Sequence, residues 1–368
     1  MKAITRRSAL ILPAAVIRGS AANSAVTVGV IGTGNRGSYV AAQVAKHTPA
    51  RIAALCDIDA AKLAAVAKEL GVPAAGLHED HRRLLASNVD AVIIATPVFL
   101  HPGHFEDAVR AGKHIYLEKP AAIDVEGCRR IIRAADSADR RFNITFGFQR
   151  RYAQLYRKAK RLADSGALGE IRLGVARFIK SEGAAAAASR LPDAATQRRE
   201  NWWVWKDLSG DLIVENNIHS IDVLNWFLGG RPVSAIGAGG RRVLQGGDTR
   251  DHNFVAYTYP DGTQGQLSGA TIASPGYRDV VEQFFGSKGT VETSENHLRY
   301  FRAAGDESTE KTPRPLTIDA VEEFVRRIAE NRPENTAIQG AESTLTAILG
   351  RMAMDARREV TWDEMMKP

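Results

Sequence analysis

The sequence predicts an α/β chain built in two parts: an N-terminal doubly wound parallel sheet, then an α+β part with a large, mainly antiparallel open sheet. Three observations predict it. Strand-like and helix-like runs alternate over residues 26–148. A glycine turn, Gly32-Thr33-Gly34-Asn35-Arg36-Gly37, follows the first apolar run and opens a helix-like one. Beyond Pro232 the runs are strand-like and divided by turn residues. A chain of 368 residues is long enough for two domains. The change of pattern puts their boundary after residue 146, giving units at 26–146 and 147–368.

The elements follow in order. Residues 26–31 read as an apolar strand and 38–46 as a helix. Residues 51–56 form a second strand, ending at Asp57. An alanine-rich helix over 60–69 is stopped by Gly71 and Pro73. A strand at 91–95 closes on Thr96-Pro97, and a helix at 104–111 ends at Gly112. A strand at 114–117, a helix at 125–138 and a strand at 143–148 complete the first part. Strands alternating with helices imply right-handed crossovers and a parallel sheet. In the second part, 152–165 reads as helix and 171–179 as a long strand. Five alanines at 184–188 sit in a loop, and 208–227 contains a helix. Strand-like stretches follow at 235–244, 253–259, 265–273, 280–285 and 290–293, with Pro260-Asp261-Gly262 as a hairpin signal. Such a run suggests antiparallel pairing. Helices at 316–331 and 337–357 close the chain.

The glycine turn carries the first chemistry. It follows a strand, opens a helix, and precedes Asp57 at the end of the next strand, about 25 residues after Gly32. That is the context of a Rossmann dinucleotide fingerprint. Gly32 permits the tight turn, Gly34 lets a pyrophosphate approach the backbone, and Gly37 lets the helix pack on the strand. The phosphates would meet the positive helix end and its unpaired amides at Asn35. Asp57 can accept from a ribose diol and repels a 2′-phosphate, which favours NAD; Arg36 leaves NADP open. A second motif, Glu118-Lys119-Pro120, ends the strand at 114–117 and puts a lysine beside the bound nicotinamide. Together the two motifs suggest a nicotinamide-dependent oxidoreductase.

The bulk properties narrow the partners. A hydrophobic fraction of 44% and a charged fraction of 25% are ordinary for a globular protein. The net charge of +7 hints at anionic ligands. However, Arg129-Arg130, Arg140-Arg141, Arg150-Arg151 and Arg198-Arg199 are separate pairs, and no nucleic-acid motif accompanies them. No nucleic acid is expected as a partner. Cys56 and Cys128 form no disulfide framework and read as buried, inert thiols. No ligand pair has metal spacing, so no metal is expected. Thr5-Arg6-Arg7-Ser8, an apolar stretch at 9–17 and small residues up to Ala22 read as a twin-arginine export signal over 1–25. The apolar stretch is too short to span a bilayer, so no stable membrane insertion is expected. Twin-arginine export carries folded cargo, which suits a protein that folds around a dinucleotide and then works in the periplasm. A disordered cytoplasmic tail is the alternative, because Pro13 and Arg18 interrupt the apolar region.

With these motifs the chain resembles the Gfo/Idh/MocA family, the glucose-fructose oxidoreductase and inositol dehydrogenase group, from residue 26 to the C-terminus. The resemblance rests on 32–37, Thr96-Pro97 with His101, Glu118-Lys119-Pro120, and Gly210-Asp211-Leu212-Ile213-Val214-Glu215-Asn216-Asn217-Ile218-His219-Ser220-Ile221-Asp222. It implies that Lys119 sits near the nicotinamide and the reacting hydroxyl, where a buried ammonium lowers the alcohol pKa or joins a proton relay. The Lys119-Pro120 bond is often cis in the family. His219 matches the family's catalytic histidine and would take the proton as hydride leaves. Glu215 stands four positions earlier, one helical turn away on the same face. The family usually has aspartate there, so Glu215 either orients substrate hydroxyls or supports His219. Asp222 and Asn225 lie on nearby faces, and either could be structural.

The resemblance also implies cofactor contacts from Thr96, Pro97, His101, Glu118 and Gln149. Arg150 and Tyr152 follow Gln149 at the family's cleft border, as contacts to cofactor or substrate; a solvated arginine pair is the alternative. His104 starts a helix. Of Trp202, Trp203 and Trp205, Trp203 is the candidate for stacking on a sugar ring, against plain core packing. The implied activity is hydride transfer between NAD(P) and a carbinol carbon of a sugar or polyol. The substrate would lie between the cofactor and the second sheet, whose open face is a candidate contact in a homo-oligomer. Tight cofactor retention would suit an exported enzyme. Two alternatives stay open: an NAD-dependent glycosidase that oxidises transiently and eliminates, and a non-catalytic sensor of sugar or dinucleotide. Lys119 and His219 argue against the sensor.

Overall fold

A computed structural model describes residues 25–181, 193–244 and 246–367. The twin-arginine motif and the five-alanine run lie outside the described residues. Six parallel strands make the first sheet: β1 (Thr27–Ile31), β2 (Arg51–Cys56), β3 (Leu77–His78), β4 (Ala91–Ile94), β5 (His114–Leu117) and β6 (Ile144–Phe146), in the order 3-2-1-4-5-6. β4 is apolar and buried at every position, because helices cover both faces of the sheet. Those helices are α1 (Asn35–His47), α2 (Ala60–Leu70), α3 (His81–Leu85), α4 (His101–Arg110) and α5 (Val125–Ser137). α1 buries Gly37, Val40, Ala41 and Val44, one helical stripe. Asp59 caps α2 and Gly71, in the left-handed conformation, ends it. The connections run in opposite directions from β1 and β4. A crevice therefore opens between them at the strands' C-terminal ends, where such sheets bind ligands.

The second sheet has nine strands: β7 (Ile171–Lys180), β8 (Ser234–Gly240), β9 (His252–Thr258), β10 (Gln264–Ala270), β11 (Arg278–Gly286), β12 (Gly289–Ser294), β13 (His297–Arg302), β14 (Glu307–Lys311) and β15 (Val360–Thr361). Their order is 14-13-12-11-7-10-9-8-15. β7 sits in the middle, parallel to β10; the other pairs are antiparallel. Along β10, Gly265, Leu267 and Gly269 are buried while Gln264, Gln266 and Ser268 are not, the alternation of a sheet covered on one face. The covering helices are Ile218–Phe227 and Ala337–Ala356, and Phe227 stacks on Phe284 of β11 at 4.1 Å. The other face is open, with Ile236 and Phe254 about half exposed.

The chain returns to the first sheet near its end. Val321 and Phe324 of the helix Leu316–Ala329 share a core with Val40 and Val44 of α1, and the Phe324 ring meets Tyr116 edge-on at 5.6 Å. The helix Ala337–Ala356 touches both sheets. A Cβ at Gly340 would lie 2.3 Å from the ring of Phe146 in β6; one at Gly350 would lie 2.4 Å from the hydroxyl of Tyr257 in β9.

Several elements differ from the pattern reading. The stretch 208–227 contains the expected helix at Ile218–Phe227, preceded by two separate short ones, Lys206–Ser209 and Leu212–Glu215. Gly210 and Asp211, at φ +81° and +88°, break the first from the second. α4 begins at His101 rather than at 104, with Pro102 in its first turn, where proline is well placed. β8 stops at Gly240. β14 carries no apolar residue, so periodicity does not reveal it; it is an edge strand made of charged and hydroxyl side chains.

Candidate active site

The glycine turn fixes where a dinucleotide can lie. Gly32 has φ +91°, and a Cβ there would sit 2.8 Å from the Ala95 backbone beyond β4. A Cβ at Gly37 would sit 1.8 Å from the Gly32 carbonyl. These two glycines are demanded by packing. Gly34 is different: its φ of −63° suits any residue, and a Cβ would meet nothing within 4 Å. Gly34 is the N-cap of α1 and no side chain caps that helix, so the first-turn amides from Asn35 onward keep no acceptor. Open space, free amides and a positive helix end fit a pyrophosphate. Asp57 braces the turn: its Oδ2 accepts from the Thr33 amide (2.7 Å) and hydroxyl (3.0 Å), and its Oδ1 from the Asp59 amide (2.9 Å). A carboxylate has lone pairs left for a ribose diol.

Arg36 does not face a 2′-phosphate beside Asp57. Its Nε donates to Glu118 Oε1 at 2.8 Å and its Nη2 to Gln149 Oε1 at 3.0 Å. Glu118 follows β5, three strands from β2, which is about 14 Å at normal strand spacing. Arg36 therefore points to the Glu118 and Gln149 side of the crevice, away from Asp57. Gln149 also accepts from the Thr317 hydroxyl at 2.7 Å. Glu118 is buried and close-packed: a Cβ at Gly147 would lie 2.9 Å from its Oε2.

Lys119 follows Glu118, and the Lys119–Pro120 bond is cis. The Lys119 ammonium donates to Glu215 Oε1 at 2.8 Å and to the Glu215 carbonyl. Glu215 ends one short helix, Asn216 and Asn217 turn the chain, and His219 lies in the first turn of the next. The continuous helical face expected for Glu215 and His219 is thus a kink. Both residues still come to Lys119. Among the described residues the His219 ring has no hydrogen-bond partner, and it lies parallel to Phe178, with 11° between planes and 6.3 Å between centres.

The electrostatics set the protonation states. Burial lowers the His219 pKa, and the charges of Lys119, Arg150, Arg36 and Lys180 push it further, well below the ordinary 6.5. The imidazole is neutral at pH 7 and able to accept a proton. Burial alone would raise Glu215, but the charge and hydrogen bond of Lys119 outweigh it and hold this carboxyl below its usual value. Side-chain exposures of 14% for Lys119 and 21% for Glu215 leave the pair reachable from the cleft.

The other expected residues take different places. His101 is buried, with Nδ1 2.7 Å from the Pro120 carbonyl and Nε2 2.9 Å from that of Thr96. It straps the segments after β4 and β5 together and has no free edge for a ligand. Pro97 caps a short 3₁₀ turn before α4. The Thr96 hydroxyl meets His104 Nδ1 at 3.1 Å. Burial and the neighbouring His81 bring His104 down to about 4.

Arg150 and Tyr152 do not face the cleft. Arg150 is buried against Glu282 at 3.3 Å, and Tyr152 packs in the core with Val321 and Phe324. Asp222 and Asn225 are structural. Asp222 takes a two-pronged contact from Arg151 and a bond from Ser343; Asn225 joins Tyr259 to Thr346. Trp203 is half-buried, and no hydrogen bond, ion pair or ring contact links it to Lys119, Glu215 or His219. Both cysteines are buried, and burial pushes the Cys56 thiol up to about 12. Sequence reasoning missed Phe178 and Glu282. Glu282 carried a signal: it occupies an inward position in Val280-Val281-Glu282-Gln283-Phe284, and an inward carboxylate needs a buried cation. Among the described residues no group of three or more His, Cys, Asp or Glu could hold a metal ion, and no helix is long and apolar enough to cross a membrane.

An uncapped helix after a glycine turn, with Asp57 on one side and an acid–base pair on the other, defines a dinucleotide-dependent oxidoreductase site. Residues 26–146 match the oxidoreductase family model with an NAD-binding Rossmann fold, and residues 156–292 match the GFO/IDH/MocA C-terminal domain. The chain belongs to the Gfo/Idh/MocA family of oxidoreductases. It is similar to inositol 2-dehydrogenase 3 of Saccharopolyspora erythraea, at 30% identity over 269 residues, 72% of each chain. It is also similar to inositol 2-dehydrogenase of Rhizobium meliloti, at 28% over 269 residues, 72% of this chain and 74% of that one. Among solved structures, levoglucosan dehydrogenase in complex with NADH and levoglucosan superposes with a TM-score of 0.79 at 18% identity, covering 91% of this chain and 99% of that one. Scyllo-inositol dehydrogenase from Lactobacillus casei, with bound NAD(H) and scyllo-inositol, gives 0.74 at 24%, covering 92% and 99%. At these identities the structural likeness is one of fold.

The three glycines separate binding from folding. Gly34→Val should leave the thermal midpoint near that of the wild type and abolish NADH binding, read by fluorescence titration. Gly37→Val should instead destabilise the fold by roughly 1–3 kcal/mol, the cost of overpacking. Undiminished NADH affinity in Gly34→Val would move the phosphates away from this turn.

Proposed function

We propose that this protein is an NAD-dependent dehydrogenase or reductase that moves a hydride between the cofactor and a carbinol carbon of a sugar or polyol. The meeting of Lys119, Glu215 and His219 beside the open glycine turn carries the reading. Bound NAD(H) supplies the hydride acceptor or donor. Gly32, Gly34, Asn35 and Gly37 offer the phosphates backbone and space; Asp57 takes the ribose diol and excludes a 2′-phosphate. Arg36, Thr96, Pro97, Glu118 and Gln149 frame the nicotinamide end, with His101 bracing the segments that carry Thr96 and Pro120. Lys119 donates to the reacting hydroxyl and stabilises developing negative charge on its oxygen. Neutral His219 accepts the proton in oxidation and returns it in reduction. Glu215 holds Lys119 with one carboxylate oxygen and offers the other to a neighbouring hydroxyl. The relatives named inositol 2-dehydrogenase support a substrate rich in adjacent hydroxyls.

In this reading residues 26–146 bind cofactor and 147–368 bind substrate. Residues 1–25 direct export to the periplasm through the twin-arginine route. The open face of the second sheet, around Ile236 and Phe254, joins copies of the chain.

Lys119→Ala and His219→Ala should each lower turnover of a sugar or polyol by ~10²–10⁴-fold, the range for a positioned acid or base, with NADH affinity nearly intact. The acid limb of kcat/KM for oxidation should fall below pH 6.5, because the imidazole stops accepting only once it is protonated. Full activity in both variants would remove these assignments. Calorimetry should find NAD(H) bound more tightly than NADP(H); the reverse order would take the choice away from Asp57. Replacing Arg6-Arg7 by Lys-Lys should strand the protein in the cytoplasm, and unchanged periplasmic accumulation would reject the signal. Light scattering should show a smaller species for Phe254→Glu than for the wild type; equal masses would place any subunit contact elsewhere.

A further inference from the structure

We propose that the buried Arg150–Glu282 pair is the positioning device for His219: it sets the plane of the imidazole through Phe178 and Ser220 and keeps a cation one ring away from it. The role of His219 as proton acceptor, on which this rests, is the reading above.

The geometry is continuous. The side chain of Arg150 is 3% exposed and that of Glu282 is 0% exposed. Arg150 Nη1 lies 3.3 Å from Glu282 Oε1 and donates to the Ser220 hydroxyl at 3.3 Å. Ser220 donates to Glu282 Oε1 at 2.6 Å, and the Tyr156 hydroxyl to Glu282 Oε2 at 2.8 Å. Ser220 is the chain neighbour of His219, so this anchor holds the first turn of the histidine's helix. The guanidinium carbon of Arg150 also lies 5.6 Å from the centre of the Phe178 ring, and Phe178 lies parallel to His219. Phe178 is thus a ring neighbour of both the guanidinium and the imidazole.

Two considerations give the pair this task. Among the described residues the His219 ring has no hydrogen-bond partner, and Phe178 is the ring packed parallel to it, so packing bears on its orientation. A buried ion pair is also a poor stabiliser, since apolar residues of similar volume often do as well or better. Its benefit has to be sought in what it holds. The cations acting on the imidazole stand on four separate elements: Lys119 after β5, Arg36 in α1, Lys180 in β7 and Arg150 in the turn after β6. Glu215 pairs with Lys119, Glu118 with Arg36 and Glu282 with Arg150. Lys180 and Arg150 both lie over the Phe178 ring, at 5.3 and 5.6 Å from its centre, but of these cations Arg150 also donates to Ser220 in the first turn of the histidine's helix.

Two variants test this in the NAD-loaded protein. Arg150→Lys keeps the charge and loses the flat, forked group. Arg150→Met combined with Glu282→Gln removes both charges, so that neither is left buried alone. The readouts are NADH affinity, kcat and KM with myo-inositol, and titration of the His219 imidazole by NMR, which needs no substrate. In Arg150→Lys, kcat should fall ~10-fold while KM and NADH affinity stay within about twofold, the signature of a misplaced group. In the double variant His219 should titrate at higher pH than in the wild type, because a nearby cation has gone. Wild-type turnover in Arg150→Lys, with His219 titrating as before in the double variant, would overturn the proposal and leave a structural ion pair. Full activity of His219→Ala would remove the proton-acceptor reading instead, and the NMR titration would still report whether Arg150 acts on the ring.

Discussion

The ion pair between Lys119 and Glu215 joins the end of a parallel strand in one half of the molecule to a helix end in the other, across the cleft. A pair this far out of water is worth little as a fastener, because its desolvation cost offsets its attraction. What it does is hold an ammonium at one place. The rest of the site is arranged around that constraint. Glu118 is held by Arg36 and by the backbone amide of Lys119, and His101 ties the Pro120 carbonyl to that of Thr96. Had Glu118 turned outward, two carboxylates would compete for one ammonium.

The same constraint explains the state of His219. An imidazole beside a fixed ammonium, with burial added, has strong reason to stay unprotonated. An ordinary histidine is kept neutral here by burial and by the cations around it, with no special chemistry of its own.

Much of the fold and part of the site were legible in the sequence. The first sheet was readable because its strands are short apolar runs punctuated by glycine and proline, and because the turn at 32–37 tied pattern to chemistry. Lys119, Glu215 and His219 were readable through family motifs, and the structure brings them together. Arg150 and Tyr152 were misplaced because a side chain's direction after a strand end does not follow from its neighbours in sequence. The resemblance located the border of the cleft, but the burial of Arg150 depends on Glu282, about 130 residues away and on another element. The break between Glu215 and His219 was hidden for a similar reason. Asn216 and Asn217 can sit in a helix, and only the packing around them turns the chain there. β14, with no apolar residue, could not be found by periodicity at all.

The helix Ala337–Ala356 bears on both sheets through glycines, Gly340 against Phe146 and Gly350 against Tyr257. The two contacts are about 15 Å apart along the axis, at the rise of an α-helix. The helix therefore acts as a spacer of set length between the first sheet and the second. To swing one sheet toward the other like a jaw, the protein would have to bend this rod or pull a ring off a glycine. The width of the cleft is a built-in gauge, and selection among ligands by size can be made by the static frame before any side chain moves.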